Sequence, residues 1–212
     1  MPVCRPNRGS NGVGYNNRTA TAGFSLQCPT FVPVDGTTVK FSDIQLVGGK
    51  GDLSETIQIL DENGQCPTTY VWADAWYCMD PFEDVSEKPL PANGRGVYMH
   101  VDNAVAIQFA GQVEKGALNR TIPAGFSILG NSSNVPLTLG DLKLIGAKGD
   151  LSETIQVLDE NGQCPTSYVW ADGWYCMDPF GSVDDLPVAA GEGIYFHMDN
   201  PVTLQLPAQL AE

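Results

Sequence analysis

The feature that most constrains this 212-residue chain is that it contains a long stretch of itself twice. Residues 50–82 recur as 148–180, 98 positions later, with changes only at Ile59/Val157, Thr69/Ser167 and Ala75/Gly173. The likeness runs outward with gaps, from Asn17-Arg18-Thr19 and Gly23-Phe24-Ser25 to Asn119-Arg120-Thr121 and Gly125-Phe126-Ser127, and from Gly94, Gly96 and Tyr98 to Gly191, Gly193 and Tyr195. A repeat of about 95 residues is longer than the roughly 20–50 of a solenoid unit and close to the size of a small domain. The expected organisation is therefore two homologous domains in tandem, 17–114 and 115–212, joined near 112–117. Residues 1–16 have no counterpart in the second copy and are expected to form an N-terminal arm, of the kind that becomes ordered by lying across a neighbouring subunit.

Within a copy the apolar residues alternate: Ile57-Gln58-Ile59, Val97-Tyr98-Met99-His100-Val101 and Val105-Ala106-Ile107-Gln108-Phe109. That period sends side chains to opposite faces of a sheet. Two hairpins are expected, the first joining 56–60 to 69–72 through Asp61-Glu62-Asn63-Gly64. The second joins 97–101 to 105–109 through Asp102-Asn103 and repeats at 194–198 and 202–206. With 24–27, 39–41, 44–47 and 76–79, each copy has roughly eight short strands, so the expected fold class is all-β, each copy a small β-sandwich or barrel.

Composition narrows the functional classes. Acidic residues outnumber basic ones 25 to 11, for a formal net charge of −14. Such a surface repels nucleic-acid backbones and anionic membranes. No apolar run approaches the roughly 18–20 residues of a membrane span, and the first ten residues lack the apolar core of a secretory leader, so the chain is expected to be made and kept inside a cell unless a leader has been removed.

Candidate sites are few. Six cysteines divide into Cys66 with Cys78, Cys164 with Cys176, and Cys4 with Cys28. Disulfides stapling each copy and tethering the arm are the favoured reading, buried free thiols come next, and metal binding is last because the spacing matches no zinc pattern. The densest aromatic stretch holds Tyr70, Trp72 and Trp76, echoed by Tyr168, Trp170 and Trp174. Exposed and flanked by aspartates it would form a sugar-stacking platform; the stronger reading is core packing. Asp61-Glu62-Asn63-Gly64 and its repeat 159–162 resemble part of a calcium loop but lack the distal glutamate, and Asp52 with Glu55, or Asp150 with Glu153, is equally ambiguous. His100 and His197 are the only histidines, and no nucleophile elbow, zinc helix motif or phosphate loop accompanies them. No cofactor, metal or catalytic residue is assigned.

The strings Gly23-Phe24-Ser25-Leu26, Phe41-Ser42-Asp43-Ile44, Glu55-Thr56-Ile57-Gln58-Ile59-Leu60-Asp61, Trp76-Tyr77 and Gly96-Val97-Tyr98 resemble uncharacterised tandem β-repeat proteins of bacterial and phage-like genomes. That resemblance carries no activity and no site. The expected function is a non-enzymatic structural protein that self-assembles through repeated β-domain contacts, as a virion component such as a capsid, head-decoration or tail-surface subunit. Its partners would be copies of itself and other structural proteins. The alternative is an extracellular glycan- or host-surface-binding module; a surface appendage or envelope-layer subunit is third.

Overall fold

The computed structural model describes residues 13–30, 38–61, 63–90, 96–112, 117–159, 163–164 and 166–208. The described chain is all-β, built from small antiparallel sheets with two single 3-10 turns. The first copy runs through β1 (Val13–Ala20), β2 (Gly23–Gln27), a 3-10 turn (Phe41–Asp43), β3 (Gln45–Val47), β4 (Thr56–Gln58), β5 (Thr69–Trp72), β6 (Trp76–Met79), β7 (Phe82–Asp84), β8 (Val97–Val101) and β9 (Val105–Gln112). The second runs through β10 (Leu118–Ile122), β11 (Gly125–Gly130), β12 (Leu137–Thr138), a 3-10 turn (Leu139–Asp141), β13 (Lys143–Ile145), β14 (Thr154–Gln156), β15 (Ser167–Trp170), β16 (Trp174–Met177), β17 (Phe180–Ser182), β18 (Pro187–Val188), β19 (Gly193–Met198) and β20 (Val202–Leu206).

Each copy builds a six-stranded sheet and a three-stranded one. In the first copy the orders are β2-β8-β4-β5-β6-β7 and β1-β9-β3; in the second they are β11-β19-β14-β15-β16-β17 and β10-β20-β13, with β12 and β18 as an added pair. Alternation explains the layering. Val97, Met99 and Val101 of β8 point inward and meet Val105, Ile107 and Phe109 of β9, which belongs to the other sheet, in one apolar cluster. Met198, Phe196, Val202 and Leu204 do the same in the second copy.

The 97–109 segment corrects an expectation. β8 and β9 are not a hairpin: β8 pairs with β2 and β4, whereas β9 pairs with β1 and β3. Asp102-Asn103 is a corner that carries the chain from one layer to the other, and Asp102 is held there by Lys50 at 2.7 Å. Apolar side chains on both flanking strands face one core, which a corner between layers satisfies and a flat hairpin on one sheet does not. The expected strand 39–41 does not form; Lys40 makes an isolated bridge to Pro89. Phe41 opens a 3-10 turn, because the Asp43 carboxylate accepts the Lys40 amide at 2.7 Å and caps it. Residues 13–16, placed in the arm by the sequence, lie in β1, which zips to β9 from Val13↔Gln112 to Ala20↔Val105. Residues 1–12 and most of the expected joint, 113–116, lie outside the described residues.

The two layers are pinned by tryptophan. Trp76 and Trp174 are fully buried, and their indole N–H groups donate to the Ile44 carbonyl at 2.8 Å and the Leu142 carbonyl at 3.1 Å. Each acceptor sits immediately before the first residue of an edge strand of the three-stranded sheet, β3 or β13. Trp72 and Trp170 meet these rings edge-on at 5.2 and 5.0 Å. Trp76→Ala is expected to lower stability by about 3–5 kcal/mol through the cavity it leaves. Trp76→Phe, which keeps most of the volume but orphans the Ile44 carbonyl, should cost about 1–3 kcal/mol; denaturant unfolding of the two variants separates packing from the hydrogen bond.

Candidate functional site

The aromatic cluster read from the sequence is not a surface. Trp72 and Trp170 are 6% exposed, Trp76 and Trp174 are sealed, and Tyr70 and Tyr168 pack half-buried against the same cores, Tyr70 at 4.5 Å from Phe41. The four indoles are therefore core groups and offer no face for a sugar to stack on. The carboxylates weighed as calcium ligands serve backbone turns. Asp61 accepts the amides of Asn63 and Gln65, Asp52 accepts that of Ser54, and buried Glu55 accepts that of Lys50 at 2.7 Å, as Glu153 does from Lys148. Among the described residues no three His, Cys, Asp or Glu side chains converge. His100 and His197 lie beside Phe24 and Phe126, each pair 4.6 Å apart.

The thiols are also placed differently from expectation. Cys28, Cys66, Cys78, Cys164 and Cys176 are all free. The within-copy disulfides are ruled out by position: Cys78 packs into its own core, whereas Cys66 lines a cavity between the copies, and Cys164 and Cys176 are divided likewise between that cavity and β16. Cys4, the expected partner of Cys28, lies outside the described residues. Burial pushes the Cys28 thiol up to about 12, against the weaker opposing pull of Arg120 and Arg18. Burial also raises Cys66 and Cys164, with Asp61 and Asp159 adding to it.

That cavity sits on a seam the sequence does not reveal. Its volume is about 440 Å³, and equivalent residues of both copies line it: Cys66 with Cys164, Tyr98 with Tyr195, and Gln58 with Gln156. The seam is closed by backbone. The Gly96 amide donates to the Ile128 carbonyl at 2.6 Å, the Cys28 amide donates to the Gly191 carbonyl at 2.8 Å, and Gln27 bridges Glu192. Arg18 reaches across from β1 to the Ala190 carbonyl at 3.2 Å. A Cβ on Gly96 would stand 2.4 Å from Ile128 Cγ2 and 2.7 Å from the Gln27 carbonyl, and one on Gly193 would meet Leu26 at 2.8 Å. These two glycines let the copies touch. Gly96→Ala and Gly193→Ala are each expected to cost about 1–3 kcal/mol by overpacking, measured by denaturant unfolding.

The exposed aromatic groups lie elsewhere, at the two outer ends of the six-stranded sheets. Phe82 stacks on Tyr77 at 5.1 Å with 1° between planes, and Phe180 on Tyr175 at 5.3 Å with 5°. Phe82 and Phe180 are 60% and 66% exposed, and Met79 and Met177 beside them are 51% exposed. These residues sit on the edge strands β7 and β17 and their neighbours β6 and β16. The aromatic stretch seen in the sequence runs on to Phe82 and Phe180, but no site falls on them there because Phe82-Glu83-Asp84 shows no apolar alternation. The signal was the abrupt end of identity after Phe82 and Phe180, where Glu83-Asp84 is replaced by Gly181-Ser182.

Exposure and thiol state together order the cysteines by reactivity. In native protein at pH 8, iodoacetamide is expected to reach half-buried Cys176 before the more deeply packed Cys78, and to leave Cys28 unmodified until the chain is unfolded; peptide mass spectrometry over time reads the order. In comparisons with known proteins, the chain matches no protein-family model, no curated protein and no solved structure.

Proposed function

We propose that this chain is a non-enzymatic structural protein that assembles through repeated β-sheet contacts. In this reading the two copies are homologous β-sandwich domains in tandem, 17–114 and 115–212, preceded by an N-terminal arm. The observation that carries it is the pair of matching exposed corners, Phe82 stacked on Tyr77 beside Met79 and Phe180 stacked on Tyr175 beside Met177, one at each free sheet edge. Single exposed apolar residues are ordinary on protein surfaces. A stacked aromatic pair with a methionine, repeated on edge strands, is a patch with unpaired backbone beside it, and both attract another chain. Two such corners on one chain supply the repeated contacts that a closed shell or lattice requires. The net charge of −14 holds free subunits apart, so assembly should strengthen as salt screens it.

The most concrete form of the proposal is a virion component, as a capsid, head-decoration or tail-surface subunit whose partners are copies of itself and other structural proteins. The carbohydrate-binding alternative rested on Trp72, Trp76, Trp170 and Trp174, and burial of those indoles removes its support. Light scattering coupled to size exclusion, with electron microscopy of the peak, tests the assembly reading. Species larger than one chain should grow with protein and salt concentration, and Phe82→Asp combined with Phe180→Asp should return them to one chain. A wild-type protein that stays monomeric across those conditions overturns the proposal.

A further inference from the structure

The two outer edges are equivalent in fold and differ in where their charges sit: only β7 carries acids within the strand itself. β7 reads Phe82-Glu83-Asp84 and β17 reads Phe180-Gly181-Ser182, and both close their six-stranded sheets with no further strand beside them among the described residues. Lys88, which pairs with Glu83 in the first copy, has Leu186 as its counterpart in the second, and Leu186 is 38% exposed. Asp184 does not restore charge to the β17 edge, because its carboxylate turns back to accept the Trp174 amide at 2.9 Å and the Ser182 hydroxyl at 3.2 Å. Asp185 lies beyond the strand, as Glu87 does in the first copy. Inward-facing charge and Lys or Glu on an edge are the ordinary means of keeping sheets from pairing with each other; β7 has them and β17 lacks them.

Resting on the assembly reading above, we propose that β17 is a self-pairing edge, at which a second copy of this chain docks its own β17 antiparallel across a two-fold axis through Gly181. In that register Phe180 lies opposite Ser182 of the second chain and Gly181 opposite Gly181, with Met177 and the Phe180–Tyr175 stack of each chain flanking the new strand pair. Within the strand pair no like charges meet; just beyond each end Asp178 of one chain comes opposite Asp184 of the other. The same register at β7 would set Glu83 against Glu83 and place two Asp84 carboxylates in one short strand pair, which is destabilising. Gly181 also has nothing within 4 Å of where a Cβ would start, so the sheet face is open at the axis. The same opening uncovers the thiol behind it: Cys176, opposite Gly181, is half-buried, whereas Cys78, opposite Glu83, is buried. The contact is isologous and closes at two chains, which makes the dimer the unit from which any larger assembly starts.

The chain itself supplies the controls, because each edge sequence is already accepted by the same fold in the other copy. The first variant writes the first copy's edge onto the second, Gly181→Glu with Ser182→Asp; the reverse variant is Glu83→Gly with Asp84→Ser. Near-UV circular dichroism verifies that each is folded, and light scattering reads the mass. At low protein and salt concentration, before larger species grow, wild type is expected at twice the chain mass, the first variant at half the wild-type value, and the reverse variant, with two self-pairing edges, in chains longer than a dimer. An oligomer whose mass the first variant does not change overturns the β17 edge while leaving the assembly reading in place. A reverse variant that remains a dimer overturns the role given to charge, and a monomeric wild type overturns both readings.

Discussion

The structure depends on how each short, weakly specified sheet is fixed against its partner layer, and a buried indole does this. β3 and β4 have three residues each, too few to hold a register by ladder hydrogen bonds alone. Trp76 solves both halves of the problem. Its ring supplies much of the apolar volume between the layers, and its N–H fixes the one carbonyl where the chain enters β3. Because burial makes a lone donor or acceptor costly, that single bond selects the layer spacing and the strand entry together. The identical arrangement of Trp174 with Leu142 is the reason that the longest conserved block between the copies contains the two tryptophans and the strands around them.

The copies are joined by a different principle. Within a copy, large side chains interdigitate; between copies, backbone meets backbone, with glycine at the tightest approaches. Gly96 and Gly193 permit amide-to-carbonyl contact across the seam, and the side chains are displaced outward to enclose the cavity lined by both tyrosines and both loop cysteines. The result is an approximate two-fold relation inside one chain. It consumes the inner edges, β2 and β11, and among the described residues no further strand covers the outer edges, β7 and β17.

What could be read from the sequence follows from what is local. Strands β4 and β8 were legible because their apolar alternation and burial coincide, as in Val97, Met99 and Val101. The link at Asp102-Asn103 was misread because a short polar pair serves a hairpin and a corner equally well; only the choice of sheet for β9, a long-range matter, decides between them. The cysteine pairing failed for a similar reason. Proximity in sequence placed Cys66 with Cys78, whereas folding turned one to the seam and the other to the core. The Trp72 and Trp76 cluster was visible at once, but composition does not say which face of a strand meets solvent. The exposed corner at Phe82 was invisible because its neighbours are polar, and the seam because its glycines act through a backbone more than 30 residues away.

β1 zips along β9, as β10 does along β20, so in each copy the first strand entered and the last strand left lie side by side. A unit whose entrance and exit are neighbours is closed upon itself. It can be spliced after a sibling without unthreading either one, and the gene that encodes it can lengthen by whole units at little cost to folding.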